Sequence, residues 1–432
     1  MVKQQRGLIL GTTALLLTTV AITGVGLRLA RSQAFFQDNP KELVDEVWQI
    51  VNRTYVDGTF NGEDWRAVRK DYLAKDYKNQ EEAYKAIREM LKGLDDPYTR
   101  FMDPTEYQAM RIDTSGELTG VGIQLAQDQE TKKLVVVAPI EDTPAYRAGI
   151  LAKDEIIKID GKSTKGMDVD DAVKLIRGKP GTSVTLTILR GNKPINYNLT
   201  RARIEIHPVR AEVKKTSLGS VGYIRLNQFS AQAAEEMKTA MEDLEKQKVK
   251  GYILDLRSNP GGLLYSSIDI ARFWLKDGKI VSTVDRRGEV EQQSANNQNL
   301  SDKPLVILVD GGSASASEIL SGALQDHKRA VLVGTKTFGK GLVQSVRELG
   351  DGSGLAVTIA KYLTPSGRDI NKHGIEPDVV VELTDPQRKA LQKSRDKIGT
   401  PADPQYAKAV EILQREVAAK KGPQQEGKVS NK

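Results

Sequence analysis

One stretch decides how the carboxyl-terminal half of the chain folds, and it reads LVILVDGGSASASE over residues 305–318. Five apolar residues in a row predict a buried strand, the two glycines predict a turn, and the apolar spacing that follows predicts a helix. Similar apolar runs at 221–226 and 251–256 are each followed by a helical pattern. This alternation predicts an α/β fold with a largely parallel sheet.

Three serines lie near the start of this predicted helix, and spacing alone does not choose among Ser313, Ser315 and Ser317. Ser315 and Glu318 have the spacing of a capping box, in which the hydroxyl satisfies backbone N–H groups of the helix. A functional interpretation is that a strand–turn–helix corner presents a hydroxyl at the carboxyl edge of the sheet, where open α/β sheets bind ligands. Both interpretations stay open at this point.

A lysine in a glycine-rich turn is the candidate proton acceptor. Lys340 lies in FGKG at 338–341, and no acidic residue stands between Thr335 and Arg347 to pair with it. Desolvation among apolar neighbours would favour the neutral amine, although an ordinary solvated lysine is the alternative. Gln344 follows four residues later, and in a helix-like turn its amide would orient the amine.

A second glycine-rich turn supplies candidate backbone donors. RSNPGG at 257–262 follows a predicted strand and precedes a helix. The backbone N–H groups of Gly261 and Ala316 would together stabilise a developing oxyanion. The alternative for the Gly-Gly pair is a tight turn. The FGKG turn lacks the spacing and the hydroxyl of a phosphate-binding loop, which argues against nucleotide binding.

The composition argues against several other kinds of site. The chain has 432 residues, a net charge of +7, three histidines and no cysteine. Without cysteine there are no disulfides and no thiol catalysis, and no histidine stands at metal-ligand spacing, so we expect no metal and no cofactor. No arginine-rich run alternates with aromatic residues, so nucleic acid is not an expected partner.

The amino terminus has the pattern of an export segment. Lys3 and Arg6 precede an uncharged run at 7–27. The pattern predicts a signal peptide or a membrane anchor at 1–34, and the sequence does not decide between them. With the positive end in the cytoplasm, the rest of the chain is expected outside it, with membrane contact through the uncharged run.

Changes of pattern divide the remainder of the chain into four parts. Helical spacing predicts a helical domain at 35–113, and short strands separated by turns predict a β-rich module at 114–204. The α/β domain is expected at 205–384, and a helix with a polar tail at 385–432.

Taken together, the motifs resemble those of the carboxyl-terminal processing proteases, exported serine endopeptidases with a Ser/Lys dyad and a PDZ domain. The resemblance runs from about residue 43 to about residue 382. It is carried by GGSASASE at 311–318, FGKG at 338–341, DLRSNPGG at 255–262, DPYTRF at 96–101, LTPSG at 363–367 and GIEPD at 374–378. It implies an α/β protease core of the crotonase/ClpP-like type, an inserted PDZ domain and an amino-terminal helical domain.

The resemblance also implies a role for each candidate residue. Ser315 matches the family nucleophile and Lys340 the family base. Gln344 matches the residue that orients the lysine, and Gly261 and Ala316 match the backbone donors of the oxyanion hole.

The module at 114–204 is, by the same resemblance, a PDZ domain. Gly120, Val121, Gly122 and Ile123 would form the loop that binds the terminal carboxylate of a substrate, while the strand that follows pairs with the peptide. The expected partners are therefore the C-terminal tails of extracytoplasmic or membrane proteins. A β-rich spacer without a ligand is the alternative.

The stretch YVDGTFNGEDW at 55–65 is similar to cyanobacterial and plastid members of the family. Some of those members trim the C-terminal extension of a photosystem II reaction-centre subunit precursor in the thylakoid lumen, so the resemblance implies the periplasm or the thylakoid lumen as the location. Two other classes stay open. One is a PDZ-bearing adaptor that binds peptides without cutting them, and the other is a crotonase-like enzyme that acts on a thioester.

Overall fold

A computed structural model of the chain describes residues 39–421, apart from residues 129, 130, 141 and 289. The export segment predicted at 1–34 lies outside the described residues, and so does the end of the polar tail. Within the described part, no helix combines the length and the apolar character that crossing a bilayer requires.

The amino-terminal region is helical, as its apolar spacing predicts. Its elements are α1 (Pro40–Thr54), α2 (Trp65–Leu73), α3 (Gln80–Lys92), the short strand β1 (Arg100–Met102) and α4 (Pro104–Ser115). The buried faces of α1 and α3 share one core with Leu349, Leu355 and Val357, which come from much later in the chain. The helical region is therefore packed onto the α/β region and does not have a core of its own.

The next region is a β-rich module with a separate core. Its elements are β2 (Glu117–Gly120), β3 (Ile123–Gln127), β4 (Leu134–Pro139), α5 (Pro144–Arg147), β5 (Glu155–Ile159), β6 (Lys162–Ser163), α6 (Val169–Ile176), β7 (Ser183–Arg190), β8 (Lys193–Thr200) and β9 (Ala202–Glu205). The main antiparallel sheet has the order β3-β4-β5-β7-β8, with β6 beside β5. β2 and β9 pair with each other, so the chain enters and leaves the module side by side.

The α/β region contains two sheets. Its elements are β10 (Val209–Thr216), β11 (Gly219–Leu226), α7 (Ala233–Lys246), β12 (Tyr252–Asp255), α8 (Leu264–Trp274), β13 (Lys279–Asp285), β14 (Val290–Ser294), β15 (Leu305–Val309), α9 (Ala316–Asp326), β16 (Val331–Gly334), β17 (Leu342–Glu348), β18 (Gly354–Leu363) and β19 (Val379–Val380). The central sheet has the order β10-β11-β12-β15-β16-β19, and it is parallel except for the β10–β11 pair. The largely parallel sheet that the sequence predicts is thus present.

The second sheet is antiparallel and is not predicted from the sequence. Its order is β1-β18-β13-β14, with β17 on β18 as well. It joins a strand of the helical region to strands that lie about 250 residues later, as in the pairing of Arg100 with Ala356. Local sequence patterns carry no information on partners so far apart.

Three neighbouring parallel strands bring the candidate turns together. β12, β15 and β16 are adjacent, with Leu254 beside Ile307 and Ile307 beside Leu332. Parallel strands end at the same edge of a sheet, and ligands bind at that edge in open α/β folds. The glycine-rich turns that follow these three strands therefore lie side by side.

Two helices follow the central sheet, where the sequence predicts one. They are α10 (Asp385–Lys393) and α11 (Pro404–Lys421). Tyr406, Ala409 and Leu413 of α11 pack on the face of the central sheet opposite α7, α8 and α9. Both faces of the parallel sheet are thus covered, as a sheet of this kind requires.

A buried ion network fixes the start of α11 to the sheet. The Arg257 guanidinium donates to Asp255 at 2.6 Å and to Asp403 at 2.8 Å, and both carboxylates are fully buried. Burial has the largest single effect on Asp255 and opposes its ionisation, but the charge and hydrogen bonds of Arg257, together with Arg225 and Tyr223, hold the pKa of that carboxyl below its ordinary value. Tyr223 also donates to Asp255 at 2.6 Å, and Gln405 accepts from Arg257 at 2.9 Å.

We expect Asp403→Ala to lower the free energy of unfolding by about 3–5 kcal/mol, because it removes one partner of a buried charged group. Urea unfolding followed by circular dichroism measures the change. Asp396→Ala is the control, since Asp396 is exposed and should shift the value by only about 0.5 kcal/mol. Equal stabilities of the two variants would show that the network does not hold α11.

Candidate active site

The turn after β15 separates the three candidate serines. Ser313 and Ser317 are fully buried, and their hydroxyls donate to the backbone carbonyls of Leu256 and Asn259 at 2.8 and 2.9 Å. Ser315 is partly exposed. The two buried hydroxyls therefore hold the turn against its neighbour, and Ser315 presents the one partly accessible hydroxyl of the three.

Ser315 also has an unusual backbone conformation. It is the N-cap of α9 with φ of 56° and ψ of −114°, in the left-handed region. A residue other than glycine in such a region costs about 1–3 kcal/mol, and such residues cluster at functional sites. The capping box that the sequence predicts is present, with the Glu318 carboxylate accepting the backbone N–H of Ser315 at 2.9 Å. The cap holds the strained backbone in place, so the structural and functional interpretations do not exclude each other.

A buried carboxylate joins the serine turn to the lysine turn. Glu318 is fully buried and accepts the backbone N–H groups of Ser315 and Lys340, both at 2.9 Å. It also accepts the Gly339 N–H at 2.7 Å and the Thr337 hydroxyl at 2.6 Å. The sequence identifies Glu318 only as a capping residue, because three of its four donors lie 19 to 22 residues away along the chain.

A buried hydroxyl forms a second link between the same two turns. The Tyr362 hydroxyl of β18 donates to the backbone carbonyl of Ser315 at 3.1 Å and to that of Lys340. Burial raises the pKa of Tyr362 well above its ordinary value, so the hydroxyl keeps its proton and remains a donor. The sequence analysis misses Tyr362, because an aromatic residue in an apolar strand predicts only core packing.

The Lys340 amine lies in a poorly solvated setting. Burial lowers the pKa of this amine, the Arg100 charge lowers it further, and the opposing effects of Asp96 and Glu318 are smaller. Nζ lies 4.7 Å from the centre of the Tyr98 ring, and within the described residues it takes part in no ion pair. The setting agrees with the desolvation expected for this lysine, but Tyr98 and Arg100 come from a region to which the sequence analysis gives no chemistry.

Gln344 lies on a strand, so the expectation of a helix-like turn is wrong. It belongs to β17 and faces Thr358 of β18, next to an irregularity in the pairing. Leu342 already pairs with Lys361, so the chain leaves the glycine-rich turn as a strand. Its Nε2 is buried without a hydrogen-bond partner, and in the described part of the chain no hydrogen bond joins it to Lys340.

The turn after β12 contacts the serine turn directly. Gly261 has φ of 100°, and a Cβ there would lie 2.6 Å from the Ala314 carbonyl oxygen and 2.9 Å from both Ala316 N and Ser315 Cβ. Only glycine allows this approach. The Gly261 N–H donates to Asn259 Oδ1 at 2.9 Å, whereas the Ala316 N–H has no protein acceptor among the described residues. The two expected donors are thus neighbours, and one of them is engaged within its own turn.

The four residues expected to bind a carboxylate form the junction between β2 and β3. Gly120 ends β2, Ile123 begins β3, and Val121 between them is buried. Gly122 has φ of 81° and is packed so tightly that a Cβ would lie 2.3 Å from Thr143. β3 is an edge strand, and α6 packs against it. An edge strand of this kind can pair with an extended peptide.

The arrangement at the carboxyl edge of the central sheet is suited to acyl transfer. It contains a partly exposed hydroxyl, a desolvated amine and backbone N–H groups at a helix start, which are the components of nucleophilic catalysis by serine. Among the residues that the structure describes, no group of three or more histidine, aspartate or glutamate side chains is arranged to hold a metal ion.

We expect Glu318→Gln to lower the free energy of unfolding by about 1–3 kcal/mol, because an amide NH₂ would face backbone donors and leave some of them unsatisfied. Urea unfolding measures the change. The control is Glu376→Gln, whose carboxylate is exposed and pairs with Lys336 at 2.7 Å, so it should change stability by less than about 1 kcal/mol. A loss no larger than that of the control would contradict the central role given to Glu318.

Known proteins share both the sequence and the fold of this chain. The model of peptidase family S41 matches residues 220–381, and the model of the PDZ domain matches residues 135–190. The carboxyl-terminal-processing protease of Synechocystis sp. is 48% identical over 376 residues, which are 86% of this chain and 86% of that protein. The chloroplastic carboxyl-terminal-processing peptidase 2 of Arabidopsis thaliana is 41% identical over 345 residues, which are 77% of this chain and 67% of that protein.

A solved structure shows the same architecture. It is described as a photosystem II D1 C-terminal processing protease, and it is 38% identical with a TM-score of 0.56. The similarity covers 85% of this chain and 99% of that one. The chain therefore belongs to the carboxyl-terminal-processing proteases, serine peptidases of family S41 that carry a PDZ domain.

Proposed function

We propose that this peptidase cuts its substrates with Ser315 as the nucleophile and Lys340 as the general base. The observation that carries the proposal is the double link between the serine turn and the lysine turn. The Glu318 carboxylate accepts the backbone N–H groups of Ser315 and Lys340, and the Tyr362 hydroxyl donates to the backbone carbonyls of the same two residues. Ser315 is also the partly exposed serine of its turn, and burial lowers the pKa of the Lys340 amine. An amine that loses its proton more readily is a better general base near neutral pH.

The reaction follows the general scheme of serine acyl transfer. The neutral Lys340 amine takes the proton of the Ser315 hydroxyl as Oγ forms a bond to the carbonyl carbon of the scissile peptide. The resulting ammonium gives its proton to the leaving amine as the peptide C–N bond breaks. Water then hydrolyses the Ser315 ester, and its proton passes to Lys340 before returning to Oγ.

Backbone donors stabilise the negative charge that develops on the carbonyl oxygen. In this proposal the donors are the N–H groups of Ala316 and Gly261. The Ala316 N–H is free of protein acceptors among the described residues, but the Gly261 N–H must first leave Asn259 Oδ1. Gln344 has the supporting role of orienting the amine, with its amide oxygen as the acceptor, and its place on the strand after the lysine turn makes it suitable.

The PDZ domain selects the substrate. In our proposal Gly120, Val121, Gly122 and Ile123 bind the terminal carboxylate of an unstructured tail, and the edge strand β3 pairs with the residues before it. The tails belong to extracytoplasmic or membrane proteins of the periplasm or the thylakoid lumen. They include the precursor of the photosystem II D1 subunit, since a similar structure is described as a D1 processing protease and similar sequences are chloroplastic.

We expect Ser315→Ala and Lys340→Ala each to lower kcat for a peptide substrate by about a thousandfold or more, because each removes a reacting group. Initial rates on a peptide with a free carboxyl terminus measure the loss. An acylating probe should also leave its mass on the peptide that contains Ser315.

The matched controls are Ser217→Ala, an exposed serine between β10 and β11, and Lys389→Ala, an exposed lysine on α10. Both should keep the activity of the unaltered protein. If Ser315→Ala or Lys340→Ala cleaves the peptide at a near-normal rate, the residue that was changed has no part in the mechanism. If the acylating probe does not label Ser315, the result favours an adaptor that binds peptides without cutting them.

We expect a peptide with an amidated carboxyl terminus to show a KM about tenfold higher than the same peptide with a free carboxylate, because the PDZ loop loses a charged hydrogen-bonding partner. Steady-state rates on a pair of peptides with the sequence of the D1 precursor tail measure the difference. Equal KM values would contradict carboxylate recognition. Failure to cut the D1 tail, with other tails cut, would contradict only that choice of substrate.

A further inference from the structure

The helical region sends one turn to the lysine side of the site. This turn spans residues 96–99, between α3 and β1. Asp96 closes it by accepting the Tyr98 N–H at 2.9 Å and the Thr99 hydroxyl at 2.7 Å. Thr99 is buried, and its Oγ1 accepts the backbone N–H of Thr358 at 3.0 Å. The turn is therefore fixed to β18, the strand that carries Tyr362.

Two strands place this turn opposite the lysine turn. β1 and β17 both pair with β18, so β18 connects the turn that ends at β1 with the turn that precedes β17. Both sides meet at Thr358 of β18. Its backbone N–H donates to Thr99 of the turn, and its partner residue on β17 is Gln344. The Tyr98 ring is held at the Lys340 amine by hydrogen bonds that do not involve Lys340.

The groups that act on the amine come from three segments. Tyr98 and Asp96 come from the turn, Arg100 from β1 and Glu318 from α9. The ring centre of Tyr98 lies 4.7 Å from Nζ of Lys340. Burial raises the pKa of the Tyr98 phenol, and Asp96 and Glu318 add to the effect, so the ring faces the amine as a neutral group.

We propose that Tyr98 is a positioning residue for Lys340, with its ring as the wall that holds the amine. This inference rests on the proposed role of Lys340 as the base. The helical region then contributes a side chain to the catalytic site, whereas the sequence analysis assigns it no chemical role.

Burial and the Tyr98 ring act on different states of the amine. Before the reaction, burial favours the neutral form that accepts the serine proton. During the reaction the amine becomes an ammonium ion, and the face of an aromatic ring attracts a cation where water is excluded. A ring in fixed position therefore stabilises the charge as it forms and does not have to move.

The test of Tyr98 compares three variants of the full-length protein on a peptide with a free carboxyl terminus. We expect Tyr98→Leu to lower kcat about tenfold with KM changed by less than about twofold, because the ring face is lost and peptide binding is not. Tyr98→Phe keeps the ring and should restore most of kcat. Tyr72→Leu is the matched control, since Lys75 Nζ lies 4.0 Å from the Tyr72 ring in the same region but away from the site.

The outcomes separate this inference from the proposed function. Full activity of Lys340→Ala would overturn both. If Lys340→Ala is inactive, unchanged kcat in Tyr98→Leu or equal losses in the Phe and Leu variants would overturn the role of Tyr98 alone. If Tyr98→Leu does not fold, Tyr98→Met takes its place as the variant without a ring. A tenfold loss of kcat in Tyr98→Met, with kcat kept in Tyr98→Phe, supports the inference, and an unchanged kcat in Tyr98→Met contradicts it.

Discussion

The site depends on one buried carboxylate. Glu318 has four hydrogen-bond donors, three of them backbone N–H groups, and it stands in the first turn of α9 where the helix dipole favours a negative charge. In the described part of the chain its charge is balanced by these dipoles and by no ion pair. Hydrogen bonds to a charged group are among the stronger ones, and they are directional. Glu318 can therefore hold Ser315 in a strained conformation and fix the lysine turn beside it.

The rest of the site is assembled from parts that are distant along the chain. The central sheet supplies the serine and lysine turns through adjacent parallel strands, and the second sheet adds the Tyr362 hydroxyl. The helical region adds Tyr98 through the same sheet. Each turn is short and is joined to paired strands, and buried hydrogen bonds hold it, so the positions of the side chains follow from the fold. Sites on such elements are held more accurately than sites on loops alone.

The sequence predicts the parts of this site that depend on local patterns. The strand–turn–helix at Ser315, the capping box with Glu318, the glycine turn at Gly261 and the partnerless setting of Lys340 all come from neighbours within a few residues. What it misses depends on pairing over long distances. Gln344 is misplaced because β18, its strand partner, comes later in the chain. Tyr362 and Tyr98 are missed as contacts of the site because their neighbours in the sequence do not show which distant residues they meet.

The anchoring of α11 has a consequence for an enzyme that trims chain ends. A protease acts on an extended segment, whose carbonyl can reach the nucleophile. Residues 404–421 of this protein are coiled into a helix, and Asp403, just before it, is clamped by Arg257. Unwinding that helix would uncover one face of the central sheet and leave buried charges unpaired. The contacts that stabilise the fold therefore also keep this segment out of the extended form that cleavage requires.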